Sequence, residues 1–597
     1  MKNILVCMIH SLNRKTFYIP TGPAFISAAL KQEGYSVYGF VWDDSEDDRV
    51  NIEKLKRDIS NLNINVVMCG GMITDIETIN IIFGSAKDVS PSIITVQGGS
   101  LISYSPNEAM ELIPDCDIGV IGEGEVIVCD LMYVIENQRD YATVKGIIYR
   151  DKSGNNVITE KQEKLPDLAI SPIPDYESFL GDYLFEHEAY TITSGRSCNF
   201  SCTFCSKMSK KYRVRPLDKL FEELDYYVNK YNIKGIMISN EFFDATEPQL
   251  SIFCEKIREY NLKVYFMTRI SDDLSVDVLK KLKSAGVYDI SFGLESADDS
   301  ILKSMKKGIT AELMLRVLKN TKAARINVSG YFIFGDTEET KETIQTTLDF
   351  IKQHRDLFYN MRLTMIHLFP GSFLYEKAVE NGIIDPLQHI KNKYPAKNIS
   401  KLNDDEYAYY KDYYMDYFMT KNVEIDLNIK NVASNFITGG MYGFSFNCSC
   451  CNMFHEIMIE PGKIPIPVYK MFCECGERLF IDYVSQILNK EMLHNKLKEQ
   501  KTAFFGIGYL FKKIYILCEL SSENELILLN SSAMISVFAS GESTQVYSPE
   551  VIKKKKIETV IVTVSGAFDT DLVISNLKSK FPDTTFMMWY ELGEVIK

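Results

Sequence analysis

Short apolar runs and amphipathic stretches alternate through the first two thirds of the chain. Residues 4–9, 37–41, 66–69 and 93–96 are nearly continuous in apolar side chains and have the length of strands. Between them, 23–33, 52–61 and 76–86 repeat their apolar positions every three or four residues, as a helix with one buried face does. Strands without polar alternation are covered on both faces, so this rhythm predicts a parallel sheet flanked by helices. A segment over 136–189 dotted with Pro166, Pro172 and Pro174 reads as a connector. The rhythm then resumes, with strands predicted at 190–193, 235–239, 263–268, 289–292, 327–334 and 362–368 and helices at 217–231, 249–260 and 276–285. Six such units predict an open (β/α)6 barrel, whose chemistry sits at the C-terminal strand ends. Residues 401–421 place tyrosines at helical spacing, the mark of a packed amphipathic face. Strand-like runs at 526–529, 557–564 and 585–589 predict half of a Rossmann-type sheet.

A chain of 597 residues is too long for one core. The pattern divides it into 1–135, a linker over 136–185, a barrel over 186–385, a helical segment over 386–435, a Cys-rich module over 436–482 and a last domain over 483–597. The formal charge of −14 disfavours a nucleic acid partner, whose binding rests on clustered Lys and Arg. The run Lys553-Lys554-Lys555-Lys556 reads as a solvated helix end. No run reaches the ~18 apolar residues of a membrane span. The apolar start is too short for a signal peptide, so cytoplasm is the expected location. Fourteen cysteines in such a chain point to metal ligation and reduced thiols.

Chemistry concentrates in one loop, Ser194-Gly195-Arg196-Ser197-Cys198-Asn199-Phe200-Ser201-Cys202-Thr203-Phe204-Cys205, directly after the first barrel strand. Cys198, Cys202 and Cys205 stand at C-x3-C-x2-C spacing, which holds three irons of a cubane cluster and leaves the fourth open. With Phe204 before the last cysteine, the loop resembles that of the radical S-adenosylmethionine (SAM) superfamily. The resemblance implies a [4Fe-4S] cluster whose open iron chelates SAM, and reductive cleavage of SAM to methionine and a 5′-deoxyadenosyl radical. A reducing electron donor such as flavodoxin or ferredoxin goes with that chemistry.

In the first domain the predicted strand ends carry glycine-rich turns: Gly70-Gly71-Met72-Ile73-Thr74, Gly98-Gly99-Ser100 and Gly122-Glu123-Gly124-Glu125. Ligands on such sheets bind at the carboxyl ends of the strands, and glycine lets the backbone approach them. These turns together resemble the cobalamin-binding domain that precedes many radical SAM domains. Cobalamin contacts are therefore expected at Gly70, Gly71, Thr74, Gly98, Gly99, Ser100, Gly122, Glu123 and Gly124. The D-x-H-x-x-G motif that gives cobalt a histidine in another branch is absent.

The barrel strand ends extend the resemblance. Ser239-Asn240-Glu241 closes the second strand, where the family meets the SAM amino group, so Glu241 is expected to accept from the ammonium. Arg269 closes the third and would neutralise a carboxylate. Ser291-Phe292-Gly293-Leu294-Glu295-Ser296 resembles the family's G-L-E-S-G with Ala297 in the last place. It puts Ser291, Gly293 and Glu295 against the sugar or methionine part of SAM. Gly335-Asp336-Thr337-Glu338-Glu339-Thr340 resembles G-x-P-G-E-T with Pro and Gly replaced, and Phe369-Pro370-Gly371-Ser372 resembles the turn after the sixth strand. His367, near the last strand end, is a candidate proton donor or substrate contact, with a structural histidine as the alternative.

Farther on, Cys448 and Cys451 form C-x2-C, and Cys473 and Cys475 form C-x-C. Four thiolates from two knuckles resemble a zinc ribbon; an auxiliary iron–sulfur cluster needs the same ligands. Gly506-Ile507-Gly508 opens the last domain, but Phe511 and Asn530 stand where a dinucleotide fingerprint wants glycine and an acid. That module loosely resembles the Rossmann-like appendages of some carbohydrate and natural-product methyltransferases.

The expectation is an α/β enzyme: a Rossmann-like cobalamin-binding domain, a partial (β/α)6 TIM-like radical SAM barrel, a small Cys-rich ribbon and a C-terminal Rossmann-like domain. The resemblance implies methylation of an unactivated carbon of a natural product, sugar or peptide through methylcobalamin. Radical rearrangement or cyclisation, an epimerase or methylthiotransferase with a vestigial first domain, and a non-catalytic scaffold are the alternatives.

Overall fold

The computed structural model describes the chain outside residues 1, 11–18, 45, 182–183, 185–188, 210, 232, 239–248, 419–433, 439–440, 449–450, 460–468, 473–477, 482–483, 485–487, 507–510, 512–513, 515–517, 519, 521–526, 530–533, 538–542, 564–569 and 593–597. The first sheet holds β1 (Asn3–His10), β2 (Ser36–Asp43), β3 (Val66–Gly71), β4 (Ile94–Gly99), β5 (Ile118–Val120), β6 (Ile147–Arg150) and β7 (Asn156–Ile158). Their spatial order is β2-β1-β3-β4-β5-β6-β7, parallel through β5 and antiparallel beyond it. Side chains alternate between faces along a strand. Leu5 and Cys7 thus enter one core with Val67, Cys69 and Phe83, while Ile4 and Val6 enter a second with Met68, Val96 and Leu131. Both faces being buried is why these strands read as unbroken apolar runs.

The sheet runs past residue 135, where the sequence pattern closed the domain. β6 and β7 add an antiparallel edge from within the expected linker. They are short, and only Ile147 and Ile148 are deeply buried, so composition hides them; the prolines begin later, at Pro166.

The second sheet contains β8 (Ala189–Ile192), β11 (Gly235–Ile238), β12 (Lys263–Thr268), β13 (Val287–Glu295), β14 (Asn327–Phe334) and β15 (Asn360–Met365), each parallel to the next in that order. Between β8 and β11 lies a two-stranded ribbon, β9 (Gly195–Arg196) against β10 (Arg213–Val214). Helices such as Leu217–Tyr231, Val276–Ser284 and Ala311–Ala323 bury their apolar faces against the strands, forming an open barrel. Met8, Ile19 and Ala24 of the first domain belong to the same core as Tyr190, Ile192 and Phe292 of the barrel. The Ile19 N–H also donates to Thr191 Oγ1 at 2.8 Å. The two units are therefore packed as one body where the candidate site lies.

Beyond the barrel, β16 (Ser434–Thr438), β17 (Met441–Asn447) and β18 (Phe454–Ile459) form an antiparallel sheet, and β19 (Tyr469–Phe472) pairs with β20 (Arg478–Ile481). The last sheet has six strands, β21 (Thr502–Phe505), β22 (Ile527–Leu529), β23 (Met534–Val537), β24 (Ser543–Tyr547), β25 (Thr559–Val562) and β26 (Thr585–Met588), in the order β23-β24-β22-β21-β25-β26. All neighbours are parallel except β23 and β24, whose pairing makes this sheet larger than the expected half-Rossmann.

Candidate active site

The registers of β3 and β4 set Gly70 beside Gly98 and Gly71 beside Gly99. Four glycines at adjoining strand ends leave a patch of sheet edge without side chains. Gly99 has φ +98°, and a Cβ on it would stand 2.6 Å from the Gly71 carbonyl oxygen, so only glycine fits. A Cβ on Gly98, and one on Gly122 (φ +99°), would meet nothing within 4 Å. These turns line a cavity of about 730 Å³ together with Ser100, Glu123 and Gly124. The first turn of the helix Thr21–Gln32 and the buried Cys69, whose thiol burial pushes well up, complete this wall. The opposite wall is barrel: Thr193, Gly195, Arg196, Ser197, Met208, Ser209 and Met267. An open, side-chain-free cradle of this kind fits a large flat ligand such as cobalamin.

The cysteine loop starts on that opposite wall. Cys198, Cys202 and Cys205 are half-buried and carry no disulfide. Its backbone is pinned from outside: the Thr203 N–H donates to the Met305 carbonyl at 3.1 Å, and the Thr203 carbonyl accepts from the Leu374 N–H at 3.0 Å. Phe204 packs against the small apolar cluster of Ile301, Met305, Ile366 and Leu374, which explains its place beside the last cysteine. Lys207 Nζ donates to the Cys198 carbonyl at 3.0 Å. Among the described residues no three Cys, His, Asp or Glu side chains gather around one point, as a single ion requires. Thiolates that each take a different iron of a cubane need not do so, and the donor set of three cysteines on one loop fits such a cluster.

Behind the loop runs a charged relay from the fourth strand. Glu295 is buried and accepts from Lys307 Nζ at 2.6 Å through Oε1, while its Oε2 is buried without a hydrogen bond. A Cβ on Gly293 would lie 2.5 Å from that Oε1, so glycine there makes room for the ion pair. The Lys307 carbonyl accepts from Arg269, whose other Nη donates to Cys202 Sγ at 3.2 Å. Its guanidinium also stacks 3.7 Å from the Phe200 ring centroid. Arg269, expected to neutralise a carboxylate, thus reaches a cysteine of the loop. Ser291 is half-buried on the same strand.

Three of the expected residues already hold partners within the protein. Thr74 is not among the cavity-lining residues: it sits in the 3-10 turn Ile73–Asp75, and its hydroxyl donates to Asp75 Oδ1 at 3.1 Å. The Glu123 carboxylate is occupied, Oε2 by Arg196 at 2.7 Å and Oε1 by Arg213. The exposed His367 has Nδ1 at 2.8 Å from the Tyr394 carbonyl, which only accepts, so Nδ1 carries a proton and the ring is tethered against Phe369. Glu241 lies outside the described residues, as do Cys473 and Cys475. Cys448 is buried at the end of β17 and Cys451 is exposed in the turn before β18.

Residues that the motifs did not single out include Arg196, Arg213, Met208 and Met267. Burial alone would lower the Arg196 guanidinium, but Glu125 and Glu123 outweigh it and hold its charge above the ordinary value. Two acids in one turn, Glu123 and Glu125, were the signal that basic partners had to exist.

Residues 192–351 match the family model of the radical SAM superfamily, and residues 11–132 that of the B12 binding domain. An uncharacterized methyltransferase of Pyrococcus horikoshii is 27% identical over 336 residues, 53% of this chain and 72% of that protein. The anaerobic magnesium-protoporphyrin IX monomethyl ester cyclase of Rubrivivax gelatinosus is 28% identical over 55% of this chain and 61% of its own length. The fold matches that of TsrM from Kitasatospora setae, a radical SAM methyltransferase solved with cobalamin and a [4Fe-4S] cluster bound. The TM-score is 0.54 at 16% identity, covering 64% of this chain and 75% of that one.

Proposed function

We propose that this chain, a radical SAM enzyme with a B12-binding domain in front of its barrel, transfers a methyl group from SAM to an unactivated carbon of a small organic or peptide substrate. The observation that carries this reading is the cavity of about 730 Å³ between the glycine turns and the strand end that opens into the cysteine loop. When bound, the cluster and SAM supply the radical chemistry and cobalamin the methyl-group chemistry. Cys198, Cys202 and Cys205 hold the cluster; Gly70, Gly71, Gly98, Gly99 and Gly122 offer backbone to the corrin. Glu295 and Ser291 meet SAM, with Gly293 leaving room. No helix among the described residues is long and apolar enough to cross a membrane. An electron donor of flavodoxin or ferredoxin type completes the system.

The match to a protein named as a cyclase supports a second reading, a ring-forming reaction without methyl transfer. The two separate when anaerobically reconstituted protein is incubated with SAM deuterated in its methyl group and candidate substrates. Methyl transfer predicts 5′-deoxyadenosine together with a product carrying the label. Formation of 5′-deoxyadenosine with an unlabelled, altered product would overturn it in favour of ring closure.

A further inference from the structure

Arg196 and Arg213 are a directly opposed pair on the antiparallel ribbon of β9 and β10. They stand at the two ends of residues 197–212, the excursion that contains all three cluster cysteines. Like charges facing each other across a ribbon repel, and something must lie between them. That something comes from the other domain: Glu123 accepts from Arg196 through Oε2 and from Arg213 through Oε1. Glu125 takes the second arm of the Arg196 fork, and Arg213 reaches the Pro166 carbonyl at 2.8 Å with its other one. The Arg196 guanidinium also lies 5.0 Å from the Phe25 ring of the first domain's helix. The Glu123 side chain is 7% exposed and none of the four exceeds 17%, so the group is largely dry and its charges depend on one another.

We infer that Glu123 is a positioning residue that couples the two cofactor sites: the cobalamin-binding domain, through one carboxylate, ties shut the base of the cluster loop. The Gly122-Glu123-Gly124-Glu125 turn then has two jobs. Its glycines border the cavity, and its acids, which line the same cavity, pair with the arginines of the ribbon on the opposite wall. Loss of Glu123 leaves Arg196 with Glu125 and Arg213 with the Pro166 carbonyl, but no acid shared between the two opposed guanidiniums, and the ribbon opens. Cys198 follows Arg196 by two residues, so the cluster loop loosens although Glu123 touches no cysteine. Support of metal ligands by such outer partners is worth about 10–100-fold in metal retention.

The test compares wild type, E123Q, E125Q and R213K as full-length protein, reconstituted with iron and sulfide in the absence of cobalamin. The rate at which a chelator strips the cluster is followed by its optical band, and thermal melting checks the fold. Cobalamin affinity is measured separately on iron-free protein. The coupling predicts cluster loss about 10–100-fold faster in E123Q. E125Q, which frees only one arm, should show a smaller increase, and R213K, which keeps the charge without the fork, an intermediate one. Should E123Q fail to fold, R213K carries the same readout. Wild-type cluster retention in these variants, with only cobalamin affinity reduced, would overturn the inference and make Glu123 a cofactor contact.

Discussion

Neighbouring glycines of the same turn have opposite reasons for being glycine. At Gly99 the backbone has φ +98° and a methyl would strike the Gly71 carbonyl, so Gly99→Ala should destabilise the protein by about 1–3 kcal/mol. At Gly98 a methyl meets no protein atom, so Gly98→Ala should leave the melting temperature in place and weaken cobalamin binding by filling the cradle. Melting curves and cobalamin titration of the two variants separate the roles; unchanged affinity in Gly98→Ala would remove the cradle from the binding site. Such glycines are legible in a sequence because little else tolerates their geometry. Arginines are not. Arg269 donates to Cys202 Sγ sixty-seven positions away, and Arg196 finds its partners more than seventy positions away. A long flexible cation takes its role from whatever the fold brings near it.

The turn after β14 shows how an element can carry its own pH dependence. Gly335-Asp336-Thr337-Glu338-Glu339 folds back so that Oε2 of Glu339 accepts from the Gly335 N–H at 3.3 Å and Oε1 accepts from the Thr343 hydroxyl at 2.5 Å. Burial outweighs these bonds, and Asp336 and Asp298 add to it, pushing the Glu339 carboxyl up to about 7. A carboxyl raised in the native state holds a proton that the unfolded chain releases at its ordinary 4.5. Its contribution is therefore complete below pH 4.5 and is lost as pH rises through 7. Wild type should lose about 3 kcal/mol across that window that Glu339→Gln does not, read as converging or crossing denaturation curves at pH 5 and pH 8. Parallel curves would exclude the effect. Elements with a sustained apolar pattern were the legible ones: the helix Leu217–Tyr231 and the strands Lys263–Thr268 and Asn327–Phe334 fall where periodicity put them. The short strands at the sheet margins, β6 and β7 in one sheet and β23 and β24 in another, were not, because they lack the long apolar run that announces a central strand.

At the scale of the molecule, two sheets share a core through Met8, Ile19 and Ala24 and share a cavity through their strand ends. Local spacing singled out the glycine turns and the cysteine loop. The family resemblance puts both at one barrel mouth, while the face by which the first domain packs is set by long-range contacts such as Arg196 with Glu123 and Glu125, which local spacing does not carry. The central claim is this shared space. It is tested by the electron paramagnetic resonance spectrum of protein carrying both the reduced cluster, of about four irons, and cob(II)alamin. The structure predicts that the two paramagnets interact, so the spectrum of the doubly loaded protein is broadened or split relative to the sum of the singly loaded ones. A spectrum that is the plain sum would place the cofactors far apart and contradict the account.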